Sequence, residues 1–190
     1  MIKRFWVLVS LALLPLLASS CTVGKSGSVE DKRKFILEMR DQALSDLAKI
    51  KPDVVKNQLR SAPGYAVFSD VNVNIFLASF GGGYGVVHNN RTRKNVYMKM
   101  GEVGLGFGAG AKDYRAIFVF HDAAALKDFI AGKWTFGGHV DAAAKAGDKG
   151  AAVAAEALSE HVSVYLLTET GLALQATVKG VKFWQYDALN

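Results

Sequence analysis

The sequence has one cysteine, Cys21, in 190 residues. A single thiol excludes an internal disulfide, even in a compartment that permits one. The four histidines, His88, His121, His139 and His161, are widely scattered and show no metal-ligand spacing. No Walker motif is present. Glu102, Asp113, Asp122, Asp141, Glu156 and Glu160 show no pairing that would serve acid–base chemistry. Ser159 and His161 lie two apart, which is no evidence for a triad. The longest apolar run, Phe5 to Leu17, is short for a bilayer span. These absences leave enzymatic function without specific support. The expectation is a non-enzymatic protein with no metal and no cofactor.

The first residues have a different texture from the rest. Lys3 and Arg4 precede the apolar run, which ends in Leu17-Ala18-Ser19-Ser20-Cys21. A basic start, an apolar stretch and small residues at a cleavage point form the layout of a bacterial secretory signal. The final five residues resemble a bacterial lipobox, in which the cysteine is acylated and becomes the first mature residue. That resemblance implies residues 1–20 as signal peptide, Cys21 as the lipidation site and residues 21–29 as a tether. With Thr22 rather than aspartate next, it also implies the periplasmic face of the outer membrane. Each buried methylene of an acyl chain contributes about 0.8 kcal/mol, so several chains hold a protein to a membrane. Losing Lys3 and Arg4 lowers the formal charge from +6 to about +4. That mild excess suits an anionic lipid surface and does not call for nucleic acid.

Residues 30–190 read as one domain. Ser28 and Asp31 form a capping-box pattern before a helix over residues 29–50, whose inward stripe is Ile36, Met39, Ala43, Leu47 and Ile50. Pro52 opens a shorter helix that Pro63-Gly64 ends. Short extended segments follow, with Gly81-Gly82-Gly83 leading into Tyr84 to His88, and a turn at Asn89-Asn90 where asparagine tolerates positive φ. A second turn is expected at Lys112-Asp113. Ile117 to Phe120 is apolar on both faces and reads as a buried central strand. Asp122 caps a helix that Gly132 stops. Residues 151–158 have helical alanine propensity.

Glycine recurs at 104, 106, 108 and 110. On a strand this leaves one face as bare backbone. Something must approach it closely: another backbone, a helix or a ligand. Gly104, Gly106 and Ala109 match only a relaxed dinucleotide fingerprint, and a strand rather than a helix follows them. The nucleotide reading is rejected.

Cations gather in two places, Lys32-Arg33-Lys34 near the first helix start and Arg91, Arg93 and Lys94 around a hairpin turn. Both are candidate headgroup-binding residues, since a basic side chain near an anionic membrane contributes about 1 kcal/mol.

Several segments in order resemble the SYLF lipid-binding domain family: Ala62-Pro-Gly-Tyr-Ala-Val-Phe68, Phe80-Gly-Gly-Gly-Tyr-Gly-Val-Val87, Gly101 to Gly110 with Ile117-Phe-Val-Phe120, and Leu126 to Gly137. The likeness runs from about Pro52 to Phe183. The chain departs from the family at Val96 to Met100, where a tryptophan-serine-proline stretch is usual. It departs again at Phe107 and Ala109, where glutamine is usual. The resemblance implies binding of anionic, phosphoinositide-like headgroups, with Lys32, Arg33 and Lys34 at the positions of the family's basic segment. It implies extended structure over residues 151–158. Some members are linked to actin, which an exported bacterial protein does not meet. The expected fold is α+β: a strongly twisted, glycine-rich antiparallel sheet or barrel, two N-terminal helices and one inserted helix. The alternative function is an envelope scaffold that docks a partner on the glycine face. A membrane-spanning barrel is disfavoured, because Ile117 to Phe120 breaks the required alternation.

Overall fold

The computed structural model describes residues 27–137, 153–158, 161–168 and 178–190. Cys21, His139, the signal expectation and residues 21–26 of the expected tether lie outside them, while Ser28 and Val29 at its end form the cap and first residue of a helix. Helix α1 spans Val29–Ile50. It begins where the sequence pattern places it. The Ser28 hydroxyl accepts from the Asp31 amide at 3.1 Å, and the Asp31 carboxylate accepts from the Ser28 amide at 3.0 Å. A π-helical turn over Val54–Gln58 runs into α2 (Leu59–Ser61).

Two long strands follow, β1 (Gly64–Asn89) and β2 (Asn95–Phe120). β1 runs on through Gly81-Gly82-Gly83, and β2 does not make the turn expected at Lys112-Asp113. Gly82 pairs with Gly101, and Lys112 and Asp113 pair with Asn72 and Val71. Backbone hydrogen bonding along β1 carries both segments, whatever their side chains prefer.

The register slips once. Phe76 pairs with Gly108 and Ala78 with Leu105, so Leu77 faces two residues, Gly106 and Phe107. Two residues opposite one is a β-bulge, which bends and twists a ribbon. The bend is large. An extended 26-residue strand reaches roughly 85 Å, yet the Asn90 amide, one residue past β1, donates to the Pro63 carbonyl at 2.9 Å. The ribbon doubles back on itself about the bulge.

The glycines record how closely the two arms meet. A Cβ on Gly83 would overlap the Ser69 carbonyl oxygen, and one on Gly85 would overlap the Val67 carbonyl oxygen. Both contacts are centred on residue 76. Part of the glycine-rich texture therefore serves close approach of another backbone. The Gly104–Gly110 stretch lies at the bend itself, opposite residues 74–79.

Helix α3 (Ala123–Ile130) follows β2. Asp122 accepts the Ala125 amide at 2.7 Å. Gly132 ends this segment at φ +69°, a left-handed conformation that favours glycine. The remaining strands are β3 (Thr135–Gly137), β4 (Val153–Leu158), β5 (Val162–Thr168) and β6 (Val178–Gln185), with a 3₁₀ turn at Asp187–Leu189. Residues 153–158 are strand, as the family resemblance implies and against their alanine propensity. The six strands form one antiparallel sheet, ordered β3-β6-β2-β5-β4 with β1 on the other side of β2. Of the two expected forms, sheet or barrel, the sheet is found and it does not close.

Alternate residues feed two cores. Phe68, Phe118 and Phe120 join Phe129 of α3 and Phe183 of β6, with ring centroids 4.7–6.0 Å apart. Val67, Val86, Ile117 and Val119 point the other way, toward Ile36, Met39, Ala43 and Leu47 of α1. This is the period-two alternation of strands applied to β2, which has partners on both edges. Ile117 to Phe120 is the buried central strand that the sequence indicates.

Candidate functional site

The β1–β2 turn is built by two asparagines with different tasks. The Asn89 Oδ1 accepts from the amides of Arg91 and Thr92, each at 3.0 Å. The Asn90 Nδ2 donates to the Leu59 and Ala62 carbonyls at 2.7 and 2.8 Å. It thereby ties the turn to the end of α2. The positive φ expected of these asparagines falls on Arg93 instead, at 58°. The turn thus has a fixed shape and presents Arg91, Arg93 and Lys94 to solvent.

Beside it lies an open cleft of about 470 Å³. Arg93, Arg60 and His88 line it, over an apolar wall of Leu44, Val55 and Leu59. The His88 Nδ1 lies 2.7 Å from the Asn95 Oδ1, and its ring packs 5.3 Å from Tyr65. Burial pushes the Tyr65 phenol above its ordinary pKa, so it stays a neutral hydrogen-bonding group. On the other side of the turn a smaller cleft of about 280 Å³ has Arg91 and Lys127 on its wall.

Arg60, Arg91, Arg93, Lys94 and Lys127 thus surround one end of the molecule. Among the described residues none of the five forms an ion pair, whereas Arg40, Lys49, Arg115 and Lys133 each pair with an aspartate. The sum is a positive field over two clefts with apolar walls, suited to an anion attached to something apolar.

The other basic cluster is spent differently. The Arg33 Nε donates to the Leu189 carbonyl at 2.9 Å, and its guanidinium lies 5.8 Å from the Tyr97 ring centre. Arg33 holds the C-terminal turn against α1. Lys34 lies 3.9 Å from Glu38, and Arg33 lies 3.9 Å from Glu30. Lys32 is half-buried on the same turns. Glu30, Asp31 and Glu38 offset the three cations within nine residues. Lys32-Arg33-Lys34 also does not join the turn cluster. Lys34 and the cleft residue Leu44 are ten positions apart on α1, roughly 15 Å.

Sequence reasoning missed Arg60, which lies on α2, and Lys127, which lies on α3. Neither is near the turn in sequence, and only tertiary packing brings them to it. Three histidines have local partners. His121 Nε2 is 2.7 Å from the Ser163 Oγ, and His161 Nδ1 is 2.7 Å from the Asp122 Oδ2; His88 meets Asn95 as above. Among the described residues no group of three or more histidine, cysteine or acidic side chains is placed to hold a metal ion. Among the same residues no helix is long and apolar enough to cross a membrane.

Residues 101–190 match the family model Ysc84, described as Las17-binding protein actin regulator. This span includes the Gly104–Gly110 stretch, the buried end of β2 and the α3 segment. Over 157 residues, 83% of its length, the chain is 32% identical to Beta cell expansion factor A of Aeromonas veronii. It spans 58% of that relative's length. Together these matches support the presence of a SYLF (Ysc84-type) domain in this chain.

Proposed function

We propose that the chain is a non-enzymatic lipoprotein of the bacterial envelope, held to a membrane through acylated Cys21, whose domain binds anionic phospholipid headgroups. The observation that carries this reading is the group of five cations around the β1–β2 turn, without carboxylate partners among the described residues. Cations left unneutralised in the free protein give an anionic surface something to discharge. The apolar walls of the clefts suit the glycerol and acyl portion next to a phosphate. Arg60 and Arg93 are the principal headgroup residues in this reading. Arg33 supports the fold, and Lys32 and Lys34 add general positive charge.

The test is co-sedimentation of residues 22–190 with vesicles of phosphatidylcholine alone or mixed with phosphatidylglycerol. Binding is expected only to the anionic vesicles and is expected to weaken with salt. A basic residue at a membrane contributes about 1 kcal/mol, so Arg60→Ala/Arg93→Ala weakens binding about thirtyfold. Equal binding to neutral and anionic vesicles contradicts the proposal.

A further inference from the structure

The face of the sheet that α1 covers extends beyond the helix. Tyr97 and Val86 lie beneath α1 in its core. Alternation carries the same face along β2 to Lys99, Gly101 and Val103, and along β1 to Tyr84, Gly82 and Phe80. On β6 the partner of Lys99 is Trp184, and that of Gly101 is Lys182.

No element among the described residues covers the far part of this face. Phe80 is 55% exposed, Val103 61% and Trp184 41%. Phe80 and Val103 are direct cross-strand partners. A Cβ on Gly101 would sit 3.1 Å from the Trp184 Cη2, so glycine there leaves the indole room to lie over the strand. At the near edge Phe35 of α1, 42% exposed, packs 5.7 Å from Tyr84. The result is an exposed aromatic shelf with a glycine floor, flanked by Lys99 and Lys182.

We infer that this shelf is the part of the domain that rests in the interfacial layer of an anionic bilayer. The inference builds on the membrane-surface reading above and adds an apolar contact to it. Three observations select a bilayer over another occupant. Trp184 and Phe80 are side chains suited to the headgroup boundary, where an aromatic body meets apolar surroundings. The charges on the face are lysines, with Glu102 on the opposite side of the sheet, buried against Tyr114. A second copy stacked on this face would bring Lys99 and Lys182 against their own counterparts. Finally, the chain toward Cys21 leaves from the start of α1, the end that carries Phe35. Cys21 lies six positions before Gly27, a reach of at most roughly 20 Å. An acyl anchor on Cys21 therefore tethers the end of α1 that borders the shelf. The cleft of Arg60 and Arg93 lies against the same helix, at Leu44.

The test uses the mature chain from Cys21 with vesicles of mixed phosphatidylcholine and phosphatidylglycerol, some carrying bromine on the acyl chains near the headgroup. Tryptophan fluorescence is read for the parent, for Trp184→Phe, and for Phe80→Glu/Val103→Glu. The two glutamates replace exposed side chains, and a circular dichroism spectrum matching the parent confirms the fold. The expected result is bromine quenching that largely disappears in Trp184→Phe. Phe80→Glu/Val103→Glu is expected to lose that quenching and to bind anionic vesicles about tenfold more weakly. Binding that continues unchanged, with Trp184 unquenched, overturns the shelf and leaves headgroup binding standing. Absence of any preference for anionic vesicles overturns both. A lipid-free dimer that Phe80→Glu/Val103→Glu abolishes in analytical ultracentrifugation also overturns the inference, assigning the face to a second copy.

Discussion

The Tyr114 hydroxyl donates to the Glu102 Oε2 at 2.7 Å, joining two buried residues of the same strand. They are equidistant from Gly108, which pairs with Phe76 at the bulge. The bond therefore closes the bend of the ribbon from the inside. Burial and the neighbouring carboxylates of Asp70 and Glu102 raise the Tyr114 phenol far above its ordinary value, keeping it a donor at every physiological pH. Tyr114→Phe removes this donor from a buried carboxylate. A loss of about 2 kcal/mol is expected, read as a lower urea midpoint with an unchanged slope.

Close approach of the two arms makes a second expectation. Gly83→Ala and Gly85→Ala drive a methyl group into the Ser69 and Val67 carbonyl oxygens of the first arm. Backbone cannot rotate away as a side chain does. Each substitution is expected to cost about 3 kcal/mol, at the upper end for overpacking. By contrast, Gly82→Ala meets only the Met100 carbonyl oxygen at 3.7 Å, an ordinary contact. Thermal unfolding of the three variants should separate Gly82 from the other two.

The start of α3 carries an acid-sensitive contact. The Ala125 amide bond to the Asp122 carboxylate holds its pKa below the ordinary 3.8, helped by His161. A depressed folded value means the charged form stabilises the fold above the unfolded pKa. That contribution disappears as pH falls through the folded value. Asp122→Asn can still cap the helix but carries no charge. The parent should be more stable than Asp122→Asn at neutral pH, and the gap should narrow below about pH 4. Melting temperatures measured between pH 3 and 7 test this.

How much of this was legible beforehand follows the range of each signal. Local signals were read correctly. Ser28 with Asp31 and the stripe from Ile36 to Leu47 set α1, and Asp122 with Gly132 bounds α3. The buried Ile117–Phe120 segment was legible from its uniform apolarity. The continuity of β1 and β2 was not. A Lys-Asp pair looks like a turn locally, whereas pairing partners decide whether a strand continues. The bulge left a trace only as a run of alternating glycines, which also suits several other close approaches.

The binding site was half legible for the same reason. Arg91, Arg93 and Lys94 announce themselves beside a turn. Arg60 enters only because Asn90 ties that turn to the carbonyls of Leu59 and Ala62. The charge run at Lys32-Arg33-Lys34 looked equally promising in the sequence. Its Arg33 is committed to Leu189 and Tyr97, and its neighbours include Glu30 and Glu38.

That contrast gives the most direct measurement: anionic-vesicle affinity of Arg60→Glu/Arg93→Glu against Lys32→Ala/Lys34→Ala, each compared with the parent on residues 22–190. The arginine reversals are expected to abolish most of the charge-dependent binding. The lysine variants should keep affinity within about fivefold, because part of their charge is already offset. The opposite ranking, with binding lost at Lys32 and Lys34 and retained at Arg60 and Arg93, would contradict the proposed site.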